Sequence, residues 1–83
     1  MHFHVVARYF FHIYDETVTF DEEGLELADL EAARIEALRG ARSLICEQIT
    51  EGRIDLTHRL EVEDHRGRPV HTLPYEGAVT IIL

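Results

Sequence analysis

A chain of 83 residues with eight basic residues, sixteen acidic ones and a net charge of −8 is one small domain, whose field repels phosphate backbones and argues against direct nucleic-acid binding. Folding at this length hides only roughly 60–65% of the surface that the unfolded chain exposes, so the usual supplements are a disulfide, a metal or a partner subunit. The lone Cys46 excludes an internal disulfide and fits a reducing compartment.

The start, MHFHVVARYFFH, has no basic region ahead of its apolar run, and no segment reaches the ~20 apolar residues of a membrane span. A cytoplasmic protein with no membrane anchor is expected. Along residues 3–14 the odd positions are Phe3, Val5, Ala7, Tyr9, Phe11 and Ile13. That period-two pattern predicts a strand with the odd face inward and Arg8, Phe10, His12 and Tyr14 outward. Asp15-Glu16 supplies turn chemistry and TVTF (17–20) alternates again, so residues 3–21 read as a hairpin. DEEG (21–24) ends it, and LEL (25–27) is a short extended piece.

Asp29 stands as an N-cap before a helix that runs from Leu30 to Glu51, with Gly52 as its C-terminal stop. On a 100° wheel Leu30, Ala33, Ala37, Ala41, Leu44 and Ile45 form one stripe, with Leu38 and Ile49 at its edge and Ile35 beyond. That face is wider than one small sheet needs. Arg34 and Gln48 fall inside the stripe; Arg34 is expected to pack its stem and reach Glu31 or Glu61 with its head.

Beyond Gly52 the even positions Ile54, Leu56, His58, Leu60 and Val62 alternate with polar residues, predicting a half-buried strand with His58 as a core histidine satisfied by a neighbour. HRGRP (65–69) is a turn and VHTLPY (70–75) a returning strand, placed at an edge by Pro74. The apolar AVTIIL (78–83) must pair with a strand, pack under the helix or join a neighbouring chain. The fold class is α+β: ββαββ, two β-hairpins in an antiparallel sheet packed on one long helix, all within a single domain spanning 1–83.

The order of RYFFH (8–12), Asp15, D-x-x-G-x-E-L (21–27), D-L-E-A-A-R-x-E-A-L (29–38), E-G-R (51–53), V-x-D-x-x-G (62–67) and LP (73–74) resembles a set of short bacterial proteins catalogued only as a domain of unknown function. The resemblance spans roughly residues 7–76 and implies a small domain, with no catalytic residue, ligand or reaction to carry over. A weaker similarity, over residues 8–45 or so, is to the strand–strand–helix layout of HicB-like antitoxins, and fold analogy does not fix function.

Six histidines raise the question of a metal, but His12 is eight residues from His4, roughly 26 Å along a strand, too far to share an ion with it. His12 with Asp15 would make a His–carboxylate pair, the starting point for a small hydrolytic enzyme. Ser43 and Cys46 both fall in the helix, which leaves nucleophilic triads hard to build. No cofactor motif is present. Eight acids (Asp15, Glu16, Asp21, Glu22, Glu23, Glu26, Asp29 and Glu31) fall in one stretch without an Arg, and the rest of the chain is balanced. They are expected to form one regional patch.

The leading expectation is a non-enzymatic, self-associating interaction module, a homodimer that takes a protein partner through Arg8, Phe10, His12 and Tyr14. An antitoxin-like or nucleic-acid-mimicking regulator using Asp15, Glu16, Asp21, Glu22, Glu23 and Glu26 against a basic partner is the alternative, and a metal-dependent or hydrolytic enzyme the third. No cofactor, catalytic residue or metal ligand is assigned.

Overall fold

The computed structural model describes residues 6–83; the expectations for Met1–Val5, including those for His2 and His4, lie outside the described residues. The elements are β1 (Ala7–Tyr14), β2 (Val18–Thr19), β3 (Leu25–Leu27), α1 (Leu30–Thr50), β4 (Arg59–Glu63), β5 (Pro69–Pro74) and a 3-10 turn at Tyr75–Gly77. One antiparallel sheet runs β2-β1-β4-β5, with β3 also paired to β1, and α1 lies across one face. The α+β reading holds, and LEL is the third strand of the amino-terminal half.

Alternation places the core as expected. Phe11 pairs with Val62 and Ile13 with Leu60 on the helix side of β1 and β4, while Leu60 meets Leu73 across to β5. Tyr9, Leu60, Val62 and Tyr75 are buried against Ala33, Ala37, Ala41 and Ile45. Alanines every fourth residue leave only methyl groups on the helix stripe, so the backbone settles close to the sheet and the strands supply the volume.

Asp29 caps α1, its carboxylate accepting from the Ala32 N–H at 2.8 Å. Gly52, at φ +87°, lets the chain leave the helix in the left-handed region. The strand expected over 54–62 starts only at Arg59. Two sets of hydrogen bonds compete with it. Asp55 accepts from the N–H and hydroxyl of Thr57, and the Gln48 amide clamps Asp55, accepting from its N–H at 2.7 Å and donating to its carbonyl at 3.3 Å. Ile54 is consequently exposed and only Leu56 packs inward.

The same aspartate device recurs at Asp15, Asp21 and Asp64, each accepting from the N–H two residues on. The most consequential is Asp21. It sits where the outer edge of β1 passes from β2 to β3, and its carboxylate also accepts from the Phe11 N–H at 3.1 Å and the Gly24 N–H at 3.0 Å. A side chain thus stands in for a missing stretch of strand. Gly24, at φ +70°, has no room for a Cβ, which would lie 2.9 Å from the Tyr9 carbonyl oxygen.

AVTIIL forms no strand. Ala78 is buried with its carbonyl accepting from Arg42 Nε at 2.8 Å, and Val79 packs on the core. Ile81, Ile82 and Leu83 then run out exposed.

Candidate functional site

The outward face of β1 is held from within the fold. His12 is 6% exposed; its Nδ1 accepts from the Asp21 N–H at 3.0 Å, so Nε2 carries the hydrogen and donates to Glu63 Oε1 at 3.1 Å. Phe20 packs edge-on against its ring. The expected His12–Asp15 pair is therefore not formed: His12 is engaged by Asp21 and Glu63, and Asp15 turns back onto Thr17. Arg59 covers the Tyr14 ring at 4.3 Å, Phe10 lies over Gly24, and Arg8 donates to the Glu23 carbonyl and Glu26. The four residues form a face, but one already stapled. Arg34 is exposed and forms no ion pair with Glu31 or Glu61; its charge is instead felt at His71, which Glu61 also faces.

The acidic stretch does not stay together. Asp21 is spent on backbone N–H groups and Glu26 on Arg8. Asp29 and Glu31 sit at the start of α1, and Asp15 and Glu16 come to its far end, roughly 30 Å away for a helix of this length. The expectation of one regional patch is corrected by this hairpin geometry.

What Asp15 and Glu16 meet there is a second set of acids. They line a cavity of about 250 Å³ with Glu47 and Glu51 from the end of α1 and Asp55 from the loop beyond it. The two D-x-T turns, at Asp15 and Asp55, both contribute to its lining. Among these acids stand one arginine, Arg53, and a largely buried histidine, His58. Burial pushes the Tyr75 hydroxyl above its ordinary range, helped by the negative charges of Asp15 and Glu47. Asp55 is held below the ordinary carboxylate value by the Thr57 hydroxyl and N–H, against the effect of burial and with smaller help from His58 and Arg53.

Glu16 Oε1, Asp55 Oδ2 and His58 Nε2 lie within 4.8 Å of one another, a spacing that raises metal binding. The hydrogen-bond chain opposes it. Because the Asp55 N–H must meet Gln48 Oε1, the Gln48 NH₂ faces His58 Nδ1 at 3.1 Å. Nδ1 is then the acceptor, and Nε2 carries the hydrogen and donates to Asp55 Oδ2 at 3.2 Å. A metal on Nε2 needs the opposite tautomer and would set two donors against each other. His58 is thus the satisfied histidine expected, with Gln48 and Asp55 as its partners.

A family model described as a domain of unknown function, DUF6894, matches residues 8–76. The chain belongs to this family. No curated protein and no solved structure matches. The match runs from Arg8 in β1 to Glu76, so both the stapled β1 face and the whole lining of the acidic cavity lie inside the DUF6894 domain, and AVTIIL lies outside it.

The cavity was legible in one respect. Glu47 and Glu51 are spaced i, i+4 at a helix end that carries no basic residue in its last turn. Like charges at that spacing, at the negative end of the helix dipole, cost stability, and such a cost marks a place worth inspecting. The convergence of Asp15 and Glu16 on that end depends on the strand order and is invisible along the chain.

Proposed function

We propose that this DUF6894 protein is a non-enzymatic interaction module that self-associates through the outer face of α1 and the tail beside it. The observation that carries this is the exposure of Ile35 and Ile49, 52% and 55%, on a helix that already buries its alanine stripe against the sheet. Ile35, Leu38, Arg42 and Ile49 follow the three-and-four spacing of one helical stripe, turned roughly a third of a circle from the buried alanines. Arg42, within this stripe, fixes the tail root at Ala78, and Ile81 and Ile82 a few residues beyond it are exposed. A helix stripe and a short apolar strap are the elements from which a two-fold partner surface of roughly 800 Å² per copy is assembled.

Two features support a role other than catalysis. Ser43 and Cys46 are both exposed on α1 and neither hydrogen-bonds a histidine among the described residues, and the histidines of the chain's two hydrogen-bonded clusters, His12 and His58, are each occupied by neighbours. Light scattering after gel filtration at tens of micromolar tests the proposal. The expected mass is twice that of the chain, falling to the monomer value in Ile49→Lys and in a chain ending at Val79. A monomer in the parent protein, or a dimer indifferent to both changes, overturns it.

A further inference from the structure

The cavity at the end of α1 adjoins the proposed self-association face, with Arg53 shared between it and the groove beside Ile49, but its polar lining asks for its own explanation. Five carboxylates, from Asp15, Glu16, Glu47, Glu51 and Asp55, surround a space with one compensating cation, Arg53. Acids alone prove little, since exposed clusters are common on a chain of net charge −8.

The decisive observation is Tyr75. It is 1% exposed and lines the cavity, its ring edge-on to His58. Every fully buried side-chain polar atom among the described residues has a hydrogen-bond partner. The Tyr75 hydroxyl has none among them, so its oxygen is the part of the residue that opens into the cavity. A buried ring offering an unpaired hydroxyl beneath a ring of carboxylates is a prepared set of acceptors.

We infer that this cavity receives a guanidinium group, the head of an arginine side chain on a partner peptide. A cation is called for by the carboxylates and by the negative end of the helix, which adds to their field. A metal is disfavoured because His58 presents a hydrogen, not a lone pair, to the shared space. A planar cation is favoured over a point charge because its five donors fork toward several carboxylates at once and leave an edge for the tyrosine oxygen.

Arg53 shows that these acids draw a guanidinium. Its NH2 atom stands 4.0 Å from Glu16 Oε1 and 3.9 Å from Asp55 Oδ2, beyond hydrogen-bonding distance, with its side chain 65% exposed. The protein's own arginine hovers at the mouth and is displaced when a better-placed one enters.

The test is titration of the full chain, labelled with ¹⁵N, with the capped peptide acetyl-Ala-Arg-Ala-amide and its lysine and citrulline counterparts. Saturable amide shifts centred on Gln48, Asp55 and His58 are expected with the arginine peptide, weaker ones with lysine and none with citrulline. Tyr75→Phe keeps the buried ring and weakens arginine-peptide affinity by about fivefold, as does Glu47→Gln. Glu31→Gln, which removes the same charge at the other end of α1, leaves affinity unchanged, being several screening lengths away. Equal shifts with citrulline, or Tyr75→Phe and Glu31→Gln having the same effect, overturn the inference. So do shifts at these residues from magnesium or zinc chloride with none from the arginine peptide.

Discussion

Replacing Asp21 with alanine removes one carboxylate that accepts from three backbone N–H groups, those of Phe11, Glu23 and Gly24. Water can take over at Glu23 and Gly24, near the surface, so each of those bonds is worth about 1 kcal/mol net. The Phe11 N–H lies inside the sheet, between β2 and β3, and leaving it unpaired costs about 1–3 kcal/mol. The sum is about 3–5 kcal/mol, a large share of the roughly 4–12 kcal/mol that a chain of this length can have. Asp21→Asn keeps one acceptor but turns an NH₂ toward the Phe11 N–H or the Glu23–Gly24 pair, and about half the loss is expected. Urea unfolding followed by circular dichroism at neutral pH measures both.

The acid limb gives a second readout of the same residue. Burial alone would raise the Asp21 carboxyl, but the bonds from Gly24, Phe11 and Glu23, with His12 nearby, outweigh it and hold it below the ordinary 3.8. The unfolded chain then binds more protons than the folded one between the two values. The stabilisation is present above about pH 4 and is lost as pH falls through the folded-state value. An alanine variant within about 0.5 kcal/mol of the parent, or one with the parent's full acid sensitivity below pH 4, would refute this account of the β2–β3 junction.

Gly24→Ala is expected to destabilise more than Gly52→Ala, because both adopt positive φ but only the Gly24 Cβ meets backbone, 2.9 Å from the Tyr9 carbonyl; about 1–2 kcal/mol is the conformational part common to both, and denaturation midpoints separate the rest. His71 is pushed below its ordinary 6.5 by burial and by Arg34, with Glu61 opposing. Stability should therefore fall as pH drops below about 6.5, and His71→Gln should flatten that part of the stability–pH curve. Leu60→Ala, at a position 3% exposed between β1 and β5, should cost about 2–5 kcal/mol by calorimetry or urea unfolding.

Local periodicity was enough for β1, α1 and its caps, since each rests on residues within a turn or two of one another. Asp29, Gly52 and the alanine stripe all act over such distances. The alternation of Ile54, Leu56 and His58 misled because it ignored a competitor seven residues back along the chain but adjacent in space: the Gln48 amide, whose clamp on Asp55 replaces a strand. Outward placement of Phe10, His12 and Tyr14 was also legible, but not their covers, since Arg59, Phe20 and Gly24 arrive through pairings no single segment encodes. The same holds for the cavity, whose acids come from the β1–β2 turn, the helix end and the loop that follows it.

The split rim of the sheet has one more consequence. A guest strand approaching past β1 would find only two residues of β2 and three of β3, interrupted by the Asp21 plug. On the opposite rim it would find β5, bounded by Pro69 and Pro74, which have no N–H to offer. Both borders are thus interrupted or bounded, features that discourage the open-ended strand addition that ends in fibres. A copy joining over the helix, as proposed above, meets a self-complementary surface, and such a surface terminates at two.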